Sequence, residues 1–254
     1  QLGARLVRSN IDLQLTNIEG VAGRNVIRSM DWGKQQPAME QEIKRLKYLS
    51  MAIVTPDHIA HYPDGTTADL SDRDYIKKAF QGQPNMSSVI ISKINNSAVI
   101  MTAAPIRNDE GKITGVVIAS LPATFLRDVT DKIRYGKGGY SYIIDGQGAL
   151  IAHDNKEFVI EQKNFIKDAE SKPEFLHLSN MMKRMTQKQT GFDEYPFLGK
   201  NRFFGYAPIE GTDWSIAAGA LRDDVLSALD DLTRNIVLLA VIVLLAGAIA
   251  TWFI

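Results

Sequence analysis

The sequence predicts an α+β chain in which a long amphipathic helix precedes two small modules, each an antiparallel sheet with a helical insertion, and an apolar helix closes the chain. Three observations predict it. Apolar residues recur at helical spacing through the first 30 residues, a strand-and-turn texture follows twice over, and residues 236–254 run for 19 positions without a charge.

The first helix rests on Val7, Ile11, Leu15, Ile18, Ala22 and Val26, at spacings of four, four, three, four and four. That is one apolar face of a helix over residues 2–30, about 45 Å long at 1.5 Å per residue. Its opposite face carries Arg8, Asp12, Gln14, Glu19 and Arg28. The stripe can pack on its own domain or on a partner helix in a dimer, and the sequence does not choose; a homodimer through this helix is the expected assembly. Asp31-Trp32-Gly33 ends the run, and Pro37 is expected to open a second helix in which Met39, Ile43, Leu46 and Leu49 keep the helical period.

Strand texture begins near residue 48. Residues 48–54 and 58–62, separated by Thr55-Pro56-Asp57, predict a hairpin, and 89–91, 98–104 and 112–121 supply three more strands. Between hairpin and strands lies a short helix, 76–80, closed by Gly82 and Pro84. The plan then recurs: a hairpin at 139–145 and 149–153, a helix over 173–186, and strands at 191–195, 201–208 and 214–221. It reads as a duplication of plan rather than of sequence. The expected divisions are N-terminal helices 1–47, a first lobe 48–134, a second lobe 135–221, a polar connecting helix 222–235 and a transmembrane helix 236–254, with Trp252 at belt level.

Composition excludes several functions. Lys+Arg and Asp+Glu both number 29 and no long basic run occurs, which argues against nucleic acid. The absence of cysteine excludes thiol catalysis, disulfides and thiolate metal sites. His58 and His61 are three apart, a metal spacing on a helix, but on a strand such residues face opposite sides, so no metal is expected. His153-Asp154 lacks a partner nucleophile and reads as a turn or cap, and Trp214 as core packing. Gly136, Gly138 and Gly139 lack the lysine and following helix of a phosphate loop. No catalytic residue and no cofactor is expected.

Function is placed in residues 69–121. Asp72, Arg73 and Tyr75 stand at a loop-to-helix junction, where Arg and Tyr can grip a small polar solute beside a sheet. They can equally be a surface ion pair and a core edge.

The order of segments resembles one family. The TPD turn, LSDRDYIKKAFQG, TAAPI, NDEGKITGVV, GGYSYIIDGQGALIAHDN and YAPIEGTDWSIAAG, behind a long helix, are similar to the double Cache extracytoplasmic sensor domain of bacterial chemoreceptors and other membrane sensors. The resemblance covers almost the whole chain. It implies two stacked PAS-like lobes, a ligand in the membrane-distal lobe, and a location outside the cytoplasmic membrane. It also implies an output that is chemotactic or, alternatively, a histidine kinase or diguanylate cyclase; a membrane-anchored enzyme or adhesion domain is the third reading.

Amino-acid-binding members carry Arg-x-Trp-Tyr, a later Tyr and Asp on the first strand after the helix, and an Asp on the last strand. This chain keeps Arg73 and has Tyr75 at the Trp position, whereas Ile76, Ile90, Ser92 and Ser120 stand where the family has Tyr, Tyr, Asp and Asp. A buried ammonium needs a carboxylate partner, so the reading favours a small organic acid or other polar metabolite held by Arg73. The expected ligand set is Arg73, Tyr75, Asp72, Ser88, Ser92, Thr102 and Ser120, and the remaining expected partner is membrane lipid.

Overall fold

The computed structural model describes residues 1–134, 138–197 and 199–252, without the side chains of 228–231, 246 and 248–252. Gly136, and the end of the predicted span, lie outside the described residues.

The long predicted helix is divided. Helix α1 covers Leu2–Ala22, Gly23 caps it, and a short α2 (Asn25–Arg28) follows after Arg24, whose backbone is extended at φ −69° and ψ 137°. Glycine is the poorest helix former after proline, which places the break there. At 21 residues α1 is about 31 Å long rather than 45 Å. Met30, at φ 52°, ends α2.

Helix α3 (Trp32–Leu46) corrects a second expectation. Asp31 caps it by accepting from the Gly33 N–H at 3.1 Å, so it starts five residues before Pro37. Pro37 lies inside, where its missing N–H leaves the Gly33 carbonyl without its helical donor. Asp31-Trp32-Gly33 therefore opens a helix instead of ending one. The capping carboxylate was the stronger signal.

The first sheet contains β1 (Ser50–Val54), β2 (Ile59–His61), β3 (Thr67–Asp69), then, after helix α4 (Asp74–Phe80), β4 (Asn85–Ile91), β5 (Ala98–Arg107) and β6 (Ile113–Pro122). Its order is β3-β2-β1-β6-β5-β4, antiparallel throughout. Strand β3 adds a sixth to the five expected. Alternation divides its side chains. Met51, Ile53, Ile100, Ala104, Val117 and Ala119 face α1, while Ala52, Val54, Met101, Ala103, Val116 and Ile118 face α4.

Helix α5 (Phe125–Thr130) leads to the second lobe: β7 (Tyr140–Ile144), β8 (Leu150–Ala152), α6 (Lys156–Ile160), α7 (Phe165–Asp168), a 3-10 turn at Pro173–Phe175, α8 (Leu176–Thr186), β9 (Gly191–Phe197), β10 (Lys200–Pro208) and β11 (Ser215–Leu221). Its order, β8-β7-β11-β10-β9, reproduces β2-β1-β6-β5-β4 strand for strand. The duplication of plan is thus present in topology.

Helix α1 packs on its own chain. Val7, Ile11, Ile18 and Ala22 are buried in a core that takes residues from both sheets, among them Ile100 and Ala104 of the first and Ile143, Ile151 and Ile216 of the second. The helix is a spine common to both lobes. Ile18 is 0% exposed, and Ile18→Ala is expected to cost about 2–5 kcal/mol in a urea titration.

Helix α9 (Arg222–Trp252) begins against the second lobe, where Asp224 Oδ2 accepts from the Gly138 N–H at 2.7 Å and Arg222 lies 3.5 Å from Glu194. Among the described residues no helix is long and apolar enough to cross a membrane.

Candidate ligand site in the first lobe

Helix α4 puts the predicted junction on the sheet. Arg73 is its N-cap residue, Asp74 complements the positive end of the helix, Lys77 and Lys78 the negative end, and Gly82 at φ +87° supplies the left-handed exit. Tyr75, Ile76 and Ala79 turn inward onto Ala52, Met101, Ala103 and Ile118.

Arg73 is neither a free surface side chain nor a simple ion pair. Its side chain is 23% exposed and Nη2 donates to the Ile91 carbonyl at the end of β4, at 3.1 Å. Nε is buried with no hydrogen-bond partner; Asp72 Oδ1, 3.8 Å away, is beyond hydrogen-bonding reach. Tyr75 is 6% exposed, and burial, reinforced by Tyr62, pushes its phenol up while the Arg73 charge opposes the shift. Tyr62 of the β2–β3 turn shares the cluster, its phenol pushed up to about 12 mainly by burial.

A second tie runs parallel to Arg73. Lys93, in the β4–β5 turn, donates to the Asp69 carbonyl at 2.8 Å and to Asp72 Oδ1 at 2.6 Å, and the latter bond holds the Asp72 carboxyl below its ordinary range. Together Arg73 and Lys93 fasten that turn to the loop entering α4.

The remaining predicted residues do not gather in one place. Ser120 lies on the α4 side by alternation and its hydroxyl is 2.7 Å from that of Ser50 on β1. Asn85 of β4 is on the same face, with its amide donating to the Tyr75 carbonyl at 3.0 Å. Thr102 is on the wrong face: it is fully buried toward α1 and its hydroxyl donates to the Ala119 carbonyl at 3.3 Å. A strand residue one position from Met101 and Ala103 must face away from both. Ser92 is a turn residue whose hydroxyl accepts from the Ile94 N–H at 3.2 Å, and Ser88 lies at the β4 register shift, its carbonyl accepting from Ser87 at 2.7 Å. Tyr62, Asn85 and Lys93 were missed. Tyr62 precedes a turn, and the lysine and asparagine are ordinary surface types in sequence; only pairing registers bring them to this end of the sheet.

His58 and His61 do not share a strand as expected: His58 lies in the turn before β2, at φ 66°, with its ring 5.0 Å from that of Phe80, whereas His61 ends β2 with its ring 5.9 Å from that of Trp32. In the second lobe His153 Nδ1 accepts from the Asn155 N–H at 2.9 Å, ahead of α6. Burial and the Arg202 charge pull His153 down to about 4 from its ordinary 6.5. Between those values the unfolded chain takes up a proton that the native chain refuses, so stability falls as pH drops from about 6.5 to 4, by up to about 3 kcal/mol, and the loss levels off below. His153→Gln is expected to abolish this difference between urea titrations at pH 7 and 4.5. An equal acid loss in the variant would contradict it.

Two antiparallel lobes stacked on one spine helix, with an arginine capping the helix over the first sheet, define a tandem-lobe sensor domain. Residues 1–229 match the family model dCache_1, described as Cache domain, and the chain belongs to that family. It is 24% identical over 169 residues to the methyl-accepting chemotaxis protein PctB of Pseudomonas aeruginosa, and 24% identical over 190 residues to McpG of Pseudomonas putida, also a methyl-accepting chemotaxis protein. These alignments take 65% and 73% of the chain but only 24% and 27% of the relatives, so the chain spans about a quarter of their length. The fold is similar to the PctB ligand-binding domain in complex with L-Arg, at TM-score 0.67 and 21% identity, covering 88% of this chain and 92% of that one. It is likewise similar to the ligand-binding domain of the Pseudomonas fluorescens chemoreceptor CtaA in complex with L-alanine, at TM-score 0.68 and 19% identity, covering 89% and 95%.

Proposed function

We propose that this chain is the ligand-sensing region of a transmembrane chemoreceptor, and that its first, membrane-distal lobe binds a small carboxylate between α4 and the sheet. The buried, unpartnered Nε of Arg73 carries the reading. A guanidinium so placed can pair with a carboxylate through charge-assisted bonds, with Tyr75 and Tyr62 beside it. The methyl-accepting chemotaxis proteins among its relatives favour a chemotactic output over a kinase or cyclase.

The solved neighbours are complexes with amino acids. In this chain Ser92 and Ser120 stand where the family's amino-acid-binding members have carboxylates, and Ser120 is bonded to Ser50. An α-ammonium would lack a buried counter-charge there, which favours an organic acid without an amino group.

Residues 236–254 are read as the membrane span, with the lobes on the outer side. Exposed apolar side chains from Ile236 to Leu245 support this, because such a surface is stable only in lipid or against a partner. The outer face of α1 exposes Leu2 and Leu13, at 77% and 56%, which fits a dimer contact alongside the buried stripe. Binding then biases α9 through the shared spine and the Asp224–Gly138 and Arg222–Glu194 contacts. The test is a thermal-shift panel of organic acids and amino acids on the chain and on Arg73→Ala. Amino acids stabilising both proteins equally would refute the ligand assignment.

A further inference from the structure

The second lobe contains an unused polar cluster in the position that corresponds to the first lobe's ligand face. Strands β7, β11, β10 and β9 place Tyr140, Tyr142, Arg202, Phe204 and Tyr195 on one side of the sheet, beneath α7 and α8. The equivalent side of the first sheet bears Ala52, Ile118, Met101 and Ala103 beneath α4. A small cavity lies under α8, lined by Tyr140, Tyr142, His153, Tyr195, Phe197 and Met182 among others.

Its polar groups are hydrogen-bond donors without acceptors. The Tyr142 and Tyr195 hydroxyls are buried, at 2% and 1% residue exposure, and although they neighbour each other neither has a partner in hydrogen-bonding geometry. Arg202 is flanked by the rings of Tyr140 and Phe197, at 5.3 and 5.4 Å, and its Nε is buried and unpartnered. His153 uses Nδ1 as an acceptor for the Asn155 N–H, so in the neutral ring Nε2 carries the proton. Two hydroxyls and an imidazole N–H belong to residues that line one void, and the Arg202 guanidinium stacks on two of the rings that wall it; together they offer donors and a positive charge to an anion. Native interiors leave such groups unsatisfied only rarely, and each invites a functional explanation.

We propose that the second lobe holds a separate site for a short-chain carboxylate of the acetate or propionate class, its oxygens taking the Tyr142, Tyr195 and Arg202 donors. The cavity measures about 10 Å³, room for a single water. Entry of a carboxylate therefore displaces the lid of α8, whose buried Met181, Met182 and Met185 are unbranched and adaptable. Lid displacement moves the helix whose Met185 carbonyl accepts from Ser215 on β11, the strand that runs directly into α9. Occupancy of this site thus acts on the output helix without passing through the first lobe.

The site goes beyond the distal-lobe reading, and one experiment separates them. Melting temperature is followed for the chain in detergent during titration with sodium acetate or propionate, with sodium chloride at matched ionic strength as reference. A saturable rise of about 3 °C at ten times the dissociation constant is expected for wild type and for Arg73→Ala alike. Tyr195→Phe should melt no lower than wild type without ligand, because it deletes an unpaired hydroxyl, yet it should lose at least about tenfold in carboxylate affinity; Arg202→Gln should lose the response entirely. Should Arg202→Gln not fold, Tyr195→Phe and Tyr142→Phe decide. No saturable rise over chloride, or an unchanged response in the phenylalanine variants, overturns the proposal. A response lost in Arg73→Ala but kept in Tyr195→Phe places the anion in the first lobe and also overturns it.

Discussion

Gly219→Ala is expected to destabilise the second lobe by about 3 kcal/mol, at the upper end of overpacking costs, and to lower its melting temperature by about 6–10 °C. Gly219 sits on β11 between Phe204 of β10 and Tyr140 of β7. A methyl group added there falls on the Phe203 carbonyl oxygen, and the Phe203 carbon and Phe204 Cα lie 2.8 Å away. These are backbone atoms of a paired strand, so neither rotamer change nor side-chain motion relieves the overlap; the ladder itself must separate. Gly205→Ala is the control. An added methyl there has nothing nearer than the Gly191 carbonyl at 3.8 Å, and the change should cost under about 1 kcal/mol. Thermal melts of the two variants check the pair, and equal destabilisation would contradict it.

Arg73→Ala is expected to weaken ligand binding by at least about 30-fold, corresponding to some 2 kcal/mol, the lower bound for deleting one partner of a desolvated charge pair. The unliganded protein should lose only about 1 kcal/mol, since the change removes one bond to the Ile91 carbonyl from a side chain that is 23% exposed. Arg73→Lys should rescue little, because a lysine cannot hold the Ile91 carbonyl and also present two parallel donors to a carboxylate. Calorimetric titration of the two variants with a panel hit separates affinity from folding.

Much of the fold was legible because periodicity is a local signal. Val7, Ile11, Ile18 and Ala22 repeat at helical spacing and are buried along α1, and the predicted strand runs in both lobes overlap observed strands, with ends that differ by one or two residues in most of them. Where the sequence misled, a neighbouring residue outweighed the obvious one: Gly23 divided the first helix, and Asp31 started α3 ahead of Pro37. The site was less legible. Arg73 and Tyr75 could be read because they adjoin a helix start, but whether Thr102 faced α1 or α4 depended on a strand phase that an all-apolar run does not reveal. Tyr62, Asn85 and Lys93 come to the site only through pairing between distant strands. In the second lobe the aromatic residues around Arg202 read as ordinary core, since nothing in a sequence marks a buried hydroxyl as unpartnered.

Whether the first lobe holds a small carboxylate against Arg73 is decided by calorimetric titration of the chain and of Arg73→Ala with organic acids and their α-amino counterparts. Saturable binding is expected of an acid lacking an amino group, weakened at least about 30-fold in Arg73→Ala, with the amino-bearing counterpart binding more weakly. Binding that is undiminished in Arg73→Ala, or that is tighter for the amino acid than for the acid without the amino group, would contradict it.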